Sequence, residues 1–290
     1  MELEEARETR VRPLIEAAEQ MLRHAGVESP RLDAELLLAA AAGVARIELL
    51  SRVVAVDETA RARFAQLVAR RAAREPLAYI LGRKEFYSLE LEVGPGVLIP
   101  RPETEILVEV SLEELGRRRD PRVLDVGTGS GAIALAIAAG LPSARVVATD
   151  VSAGALAVAR RNLERLGMAE RIEIRLADCF AVMDGGKPLG LFDLIVCNPP
   201  YVRDGEIEGL QAEVSRYEPR ITLAGGSDGL DFYRLLARGA RQHLAAGGKI
   251  AVEVGAGQAA DVAAIFRASG LSEITMRNDL SGISRVVCAS

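Results

Sequence analysis

Val123-Leu124-Asp125-Val126-Gly127-Thr128-Gly129-Ser130-Gly131-Ala132 is the stretch on which the fold turns. Val123–Val126 reads as a short apolar strand, and Ala132–Ala139 as an apolar helix. Between them lie three glycines in five residues. Glycine admits positive φ and lets a ligand approach bare backbone, and the N-terminus of a helix offers unpaired N–H groups to it. Gly127, Thr128, Gly129, Ser130 and Gly131 are therefore candidate cofactor-binding residues, although a turn of this kind also serves as a simple tight connection.

Outward from this point strands and helices alternate. Strands are expected at Arg145–Thr149, Ile172–Leu176, Phe192–Cys197 and Lys249–Val254, with two more at the end of the chain. Helices are expected at Ala153–Leu166, about Gly229–Leu244 and about Ala259–Ala268. That pattern implies an α/β domain, a mostly parallel sheet with helices on both faces.

Asp150 ends the second strand, 19 residues after Gly131. An acid there can accept hydrogen bonds from both ribose hydroxyls of a nucleoside, or cap the next helix. Asp178 and Phe180 follow the third strand, where an acid and an aromatic ring can hold an adenine. The third glycine of the turn comes two residues after the second, not three, which disfavours NAD.

Asn198-Pro199-Pro200-Tyr201 comes directly after an apolar strand, at the end where ligands of open α/β sheets gather. Its residue types suit transfer to a planar nitrogen. The lone pair of an amide or arylamine is conjugated and must be localised and aligned with an activated methyl group. The Asn198 side-chain oxygen and the Pro199 carbonyl can accept both N–H bonds, which turns the lone pair outward and stabilises the developing positive charge. The two prolines stiffen the turn, and Tyr201 can stack on the planar group. The bland alternative is a proline-rich turn.

Residues 1–75 read as a small bundle. Leu14, Ala18, Met21, Leu22 and Ala25 keep helical spacing. Ser29-Pro30 reads as a helix start and Gly43 as its stop. A third helix begins near Asp57, carries Arg61, Arg63, Arg70, Arg71 and Arg74, and ends at Pro76. Its arginines read as a solvated face, with an acidic partner surface as the alternative. Residues 76–105 form a linker with a β-hairpin, Glu85–Val93 and Val97–Ile99, turning at Gly94-Pro95-Gly96. Residues 106–290 form the α/β domain. Glu103 and Glu105 can complement the dipole of the helix they begin.

The bulk numbers exclude several classes. Charged residues make up 27%, hydrophobic residues 49%, and the net charge is −5 without a basic stripe, which gives nucleic-acid binding little support. Three cysteines without a CxxC pair, and two isolated histidines, argue against a disulfide framework or a metal cluster and fit a reducing cytoplasm. The longest apolar run, Ala132 to Leu141, is too short to span a bilayer, and the acidic start is unlike a signal peptide.

Three further stretches join the tetrapeptide and the turn: Glu75-Pro76-Leu77-Ala78-Tyr79-Ile80-Leu81-Gly82, Glu85-Phe86-Tyr87, and Val97-Leu98-Ile99-Pro100-Arg101-Pro102-Glu103-Thr104-Glu105. With them the chain, from about residue 10 to its end, resembles the release factor N5-glutamine methyltransferases of HemK type. The resemblance implies a Rossmann-like, seven-stranded class I methyltransferase domain preceded by a helical domain that helps hold the release factor. It implies S-adenosylmethionine as cofactor, S-adenosylhomocysteine as product, and no metal. It assigns Asn198 and Pro199 to the glutamine amide of a Gly-Gly-Gln motif in class I release factors, and places Phe86 and Arg101 near that glutamine. No membrane and no direct nucleic-acid partner is expected. An adenine-N6 methyltransferase shares the turn and the tetrapeptide and is the alternative. An NAD-dependent oxidoreductase and a non-catalytic nucleoside-binding module are the readings from other classes.

Overall fold

The computed structural model describes residues 2–51, 54, 56–116, 118–183 and 185–290. It divides into two units. One comprises Met1–Gly82 with Gln211–Tyr217, the other Arg83–Leu210 with Glu218–Ser290. The linear division read from the sequence, at residues 75 and 105, carries no hint of the excursion at 211–217.

The first unit contains α1 (Glu2–His24), α2 (Pro30–Ala42), α3 (Arg46–Ser51), α4 (Glu58–Ala72) and α5 (Leu77–Leu81). A short helix from the second segment, Ala212–Tyr217, is α9 in chain order. Ile15, Leu22, Leu37, Leu38, Phe64 and Val68 form the core. Asp57 caps α4 by accepting the Ala60 N–H at 2.8 Å. Gly43 closes α2 in the left-handed conformation. Ser29 makes no side-chain cap; Pro30 at the first helical position supplies the start instead.

The arginine-rich face of α4 is only partly solvated. Arg71 is 6% exposed and donates from Nε to Asp33 Oδ2 at 2.7 Å and from Nη2 to Glu213 Oε1 at 2.8 Å. Arg74 donates to both oxygens of Glu213. Burial works against the Glu213 carboxylate, but the bonds from Arg74 and Arg71 outweigh it and hold its pKa below the usual range. Arg61 and Arg63 are exposed.

The second unit opens with a hairpin, β1 (Arg83–Phe86) and β2 (Leu89–Glu92), antiparallel with Phe86 opposite Leu89. The sequence reading placed the turn at Gly94-Pro95-Gly96 and a strand at Val97–Ile99. Here the turn is Tyr87-Ser88, both with positive φ (49° and 60°), and Val97–Ile99 is not a strand. Two consecutive left-handed residues match the twist of a two-residue hairpin, and that geometry takes precedence over the glycine-proline signal. The Tyr87 N–H donates to Glu105, which fastens the turn to the next helix.

Then follow α6 (Thr104–Leu115), β3 (Arg122–Val126), α7 (Ala132–Gly140), β4 (Arg145–Asp150), α8 (Ala153–Arg165), β5 (Ile172–Asp178), β6 (Ala181–Val182) and β7 (Phe192–Cys197). After the loop come α10 (Asp231–His243), β8 (Leu244–Glu253), α11 (Ala259–Ala268), β9 (Thr275–Asn278) and β10 (Ser284–Ala289). The sheet runs β6-β5-β4-β3-β7-β8-β10-β9, seven strands plus the two-residue edge strand β6. Strands β5, β4, β3, β7 and β8 are parallel, and β10 is antiparallel to β8. Leu107, Ile137 and Leu163 pack with Phe86 on one face. Leu124, Tyr233, Leu236, Val262 and Phe266 pack on the other. Chain order reverses at β3, with β4 on one side and β7 on the other, so the switch point lies between β3 and β7.

Candidate active site

Strand register builds the site. Val126 pairs with Thr149 on one side and with Cys197 on the other, and Cys197 pairs with Val252. One residue further along each chain, Asp150, Gly127, Asn198 and Glu253 therefore stand in a row across four adjacent strand ends. The glycine turn and the tetrapeptide, 71 positions apart in sequence, leave the sheet side by side at the switch point.

The turn is shaped for a ligand. Gly127, Gly129 and Gly131 have φ of 73°, 57° and 85°. A Cβ on Gly127 or Gly129 would meet nothing within 4 Å, whereas one on Gly131 would press on Leu135, Ala159 and Leu163. The first two glycines thus leave open space over bare backbone, and the third lets α7 and α8 pack closely. Asp150 braces this cradle, accepting the Gly129 N–H and the Ser152 N–H, both at 2.9 Å. Ser152, not Asp150, caps α8. Burial pushes the Asp150 pKa up, against the pull of its backbone bonds.

Asp125 and Asn162 support the turn from behind, and neither was singled out by sequence reasoning. Asp125 is fully buried; its Oδ2 accepts the Thr128 hydroxyl at 2.6 Å and the Ala134 N–H at 3.2 Å, and its Oδ1 has no partner. Burial pushes its pKa up to about 7, with the Thr128 and Ala134 bonds opposing. Buried Asn162 donates to the Ser130 and Glu92 carbonyls and accepts the Glu92 N–H, linking turn and hairpin. Ser130 is itself buried.

The tetrapeptide is held from three directions. Asn198 donates from Nδ2 to the Thr104 hydroxyl oxygen at 3.1 Å. Among the described residues, no hydrogen bond reaches the Asn198 Oδ1 or the Pro199 carbonyl. The Tyr201 hydroxyl donates to Glu253 Oε1 at 3.3 Å, and the Tyr201 carbonyl accepts the Gln258 side-chain amide at 3.0 Å. The loop that follows closes on itself, with Val202 bonded to Leu223 and Gly225 bonded to Val202. A Cβ on Gly225 would come within 2.9 Å of the Pro200 carbonyl, and one on Gly255 within 3.0 Å of the Tyr201 ring. Thr104, Glu253, Gln258, Gly225 and Gly255 carry no local signal; only the fold brings them here.

The other expected residues have partners of their own. Phe86, expected near the glutamine, is 1% exposed within the core, because the last residue of β1 turns inward. Arg101 is paired with buried Glu218, which also accepts the Ile99 N–H. Burial pushes the Glu218 pKa up, with Arg101 opposing. Phe180 stacks on His243, ring centroids 4.8 Å apart, and packs over Gly239. Asp178 is exposed at the end of β5.

Among the described residues, no group of three His, Cys, Asp or Glu side chains is arranged to hold a metal, and no helix is long and apolar enough to cross a membrane.

Comparisons with known proteins bear on both units. Residues 13–82 match the PrmC N-terminal domain, and residues 102–214 the methyltransferase small domain. The release factor glutamine methyltransferase of Geobacter sulfurreducens is 46% identical over 96% of this chain and 95% of its own. That of Moorella thermoacetica is 45% identical over 90% of each. The N-terminal domain of human METTL16, solved in complex with S-adenosylhomocysteine, shares the fold at 20% identity, with a TM-score of 0.52 over 78% of this chain and 83% of that one. The open glycine cradle suits the S-adenosylmethionine used by class I methyltransferases, and at such identities over nearly the whole of both chains this protein belongs to the release factor glutamine methyltransferase family.

Proposed function

We propose that the protein transfers a methyl group from S-adenosylmethionine to N5 of the glutamine in the Gly-Gly-Gln motif of peptide chain release factors, and so supports translation termination. One observation carries this reading: Asn198 and Pro199 present two unengaged acceptor oxygens beside the glycine cradle. The two acceptors take the two amide N–H bonds and hold the nitrogen with its lone pair facing the methyl group. The bound cofactor supplies that methyl as a sulfonium substituent. As nitrogen acquires positive charge the same two oxygens stabilise it, and a proton then leaves to solvent. Tyr201 and Pro200 wall the planar amide. No general base is required.

Gly127, Thr128, Gly129, Ser130 and Gly131 would hold the cofactor over bare backbone, with Asp150 accepting ribose hydroxyls through its remaining lone pairs. Asp150→Ala removes both this contact and the brace on Gly129. Calorimetric titration with S-adenosylhomocysteine should show affinity weakened by about 1–3 kcal/mol. An unchanged dissociation constant would return Asp150 to a purely structural role.

The adenine-N6 reading shares the fold but has no observation of its own in favour. Three buried free cysteines fit a reducing cytoplasm, where release factors act. The reaction is tested by incubating a purified bacterial class I release factor with this protein and S-adenosylmethionine, then measuring intact mass and mapping peptides. One added methyl on the Gly-Gly-Gln glutamine is the expected result. Methyl transfer to adenine in nucleic acid, with none to the release factor, would replace this reading.

A further inference from the structure

Tyr201 is held by its hydroxyl, its ring and its carbonyl, and all three holders belong to the short join between β8 and α11. Glu253 Oε1 accepts the hydroxyl at 3.3 Å. The ring lies so close over Gly255 that a Cβ there would come within 3.0 Å of it. Gln258, the residue that precedes α11, donates from Nε2 to the carbonyl at 3.0 Å. The same Nε2 reaches the Gly229 carbonyl at 3.4 Å, and Oε1 accepts the Gly255 N–H at 3.0 Å. A primary amide has two N–H donors and one carbonyl acceptor. Both its ends are engaged here, and the reverse orientation would set the amide oxygen against two carbonyl oxygens. There is no slack around it either: a Cβ on Gly229 would lie 2.6 Å from Nε2, and one on Gly255 2.7 Å from Oε1.

We propose that Gln258 is a positioning residue for methyl transfer: by fixing the Tyr201 carbonyl it sets the direction of the Pro199 carbonyl and the place of the Tyr201 wall. The proposal rests on the reading of Asn198 and Pro199 as the acceptors of the substrate amide. Stiffness carries the effect along the turn. Pro200 has a fixed φ, and Asn198 and Pro199, each preceding a proline, are confined to extended backbone. The far end is tethered as well, by the Asn198 bond to the Thr104 hydroxyl oxygen at 3.1 Å. A turn tied at both ends and stiff between them keeps its two open acceptors in register. Transfer to a conjugated nitrogen depends on that preorganisation.

The test compares Gln258→Leu, Gln258→Glu and Gly225→Ala with the unaltered full chain, using a purified release factor and S-adenosylmethionine. Gln258→Leu keeps the size of the side chain and removes its three bonds. It should lower kcat by about 10–100-fold, since a misplacement of about 1 Å can cost about 100-fold. S-adenosylhomocysteine affinity should stay within about twofold, because the glycine cradle is built elsewhere. Gly225→Ala presses on the same turn from the other loop, with a Cβ 2.9 Å from the Pro200 carbonyl and the Tyr201 Cα, and should show the same split. Gln258→Glu gives a result that general loosening would not. Its carboxylate keeps the Gly255 bond but faces two carbonyl oxygens, which raise its pKa. Protonation restores a donor on a group of amide shape. Its kcat relative to the parent should therefore be lowest near about pH 8 and recover toward about pH 5.5, while the Gln258→Leu ratio stays flat. Dividing by the parent at each pH removes the titration of Glu253, the carboxylate that also holds Tyr201. A Gln258→Leu kcat within about twofold of the parent, a loss of cofactor affinity as large as the loss of rate, or a flat Gln258→Glu ratio each overturns the proposal. With Asn198→Ala inactive, those outcomes leave the reading of Asn198 standing. If Asn198→Ala itself turns over normally, that reading falls and takes this proposal with it.

Discussion

Asn198→Ala is expected to lower the rate of methyl transfer by about 10²–10³-fold while S-adenosylhomocysteine binds nearly as before. That is the usual size when one preorganised hydrogen-bonding partner of the transition state is removed. The alanine variant loses the Oδ1 acceptor and leaves only the Pro199 carbonyl, so the amide nitrogen can rotate and its lone pair stays conjugated. The glycine turn proposed to hold the cofactor is built from backbone on the neighbouring strand end and has no hydrogen bond to the Asn198 side chain. Asn198→Asp should fail as well. A carboxylate cannot donate to the Thr104 hydroxyl oxygen, so the bond that orients the side chain in the parent is lost. Single-turnover transfer to a release factor, beside calorimetric binding, separates the two effects. Near-normal turnover in the alanine variant would mean that Asn198 is only part of a turn.

The largest loss of stability is expected from Arg71→Ala. Asp33 is 6% exposed and takes its short bond from the Arg71 Nε. Removing the guanidinium leaves a buried carboxylate without its charge partner, which costs about 3–5 kcal/mol, a large share of a total that is about 5–15 kcal/mol. Glu213 suffers less, because Arg74 still holds both its oxygens. The Glu75 carbonyl also loses the Arg71 Nη1 donor. Denaturant unfolding should show a markedly earlier transition for the helical unit. Replacing Asp33 and Arg71 together by apolar residues of similar volume should recover most of the difference. A single variant as stable as the parent would show the ion cluster to be dispensable.

Much of the α/β unit is legible in the sequence for a physical reason. Strands buried on both faces, such as Val123–Val126 and Phe192–Cys197, appear as short apolar runs, and each is punctuated at its carboxyl end by residues of special backbone preference. Gly127–Gly131 and Asn198–Tyr201 are such punctuation. The hairpin was misplaced because Tyr87 and Ser88 are ordinary residues in a left-handed turn, beside a Gly-Pro-Gly that advertises a turn more loudly. Arg71 was hidden in a run of exposed arginines, since its partner Glu213 lies 142 positions away. Thr104, Asn162, Glu253 and Gln258 were illegible for the same reason. Each acts on a residue between 32 and 94 positions away, and only the tertiary fold brings them together.

The segment Gln211–Tyr217 makes the helical unit discontinuous, so the backbone passes from one unit to the other three times: after Gly82, after Leu210 and after Tyr217. No single cut yields two finished pieces. A fragment stopping at Gly82 lacks α9 and with it Glu213, the shared counterion of Arg71 and Arg74. A fragment beginning at Arg83 keeps that stretch with its partners gone. Exchange of the helical unit between relatives would therefore have to carry an inner cassette along with the N-terminal one, and a recombination joint placed at residue 82 alone would break the ion cluster it was meant to spare.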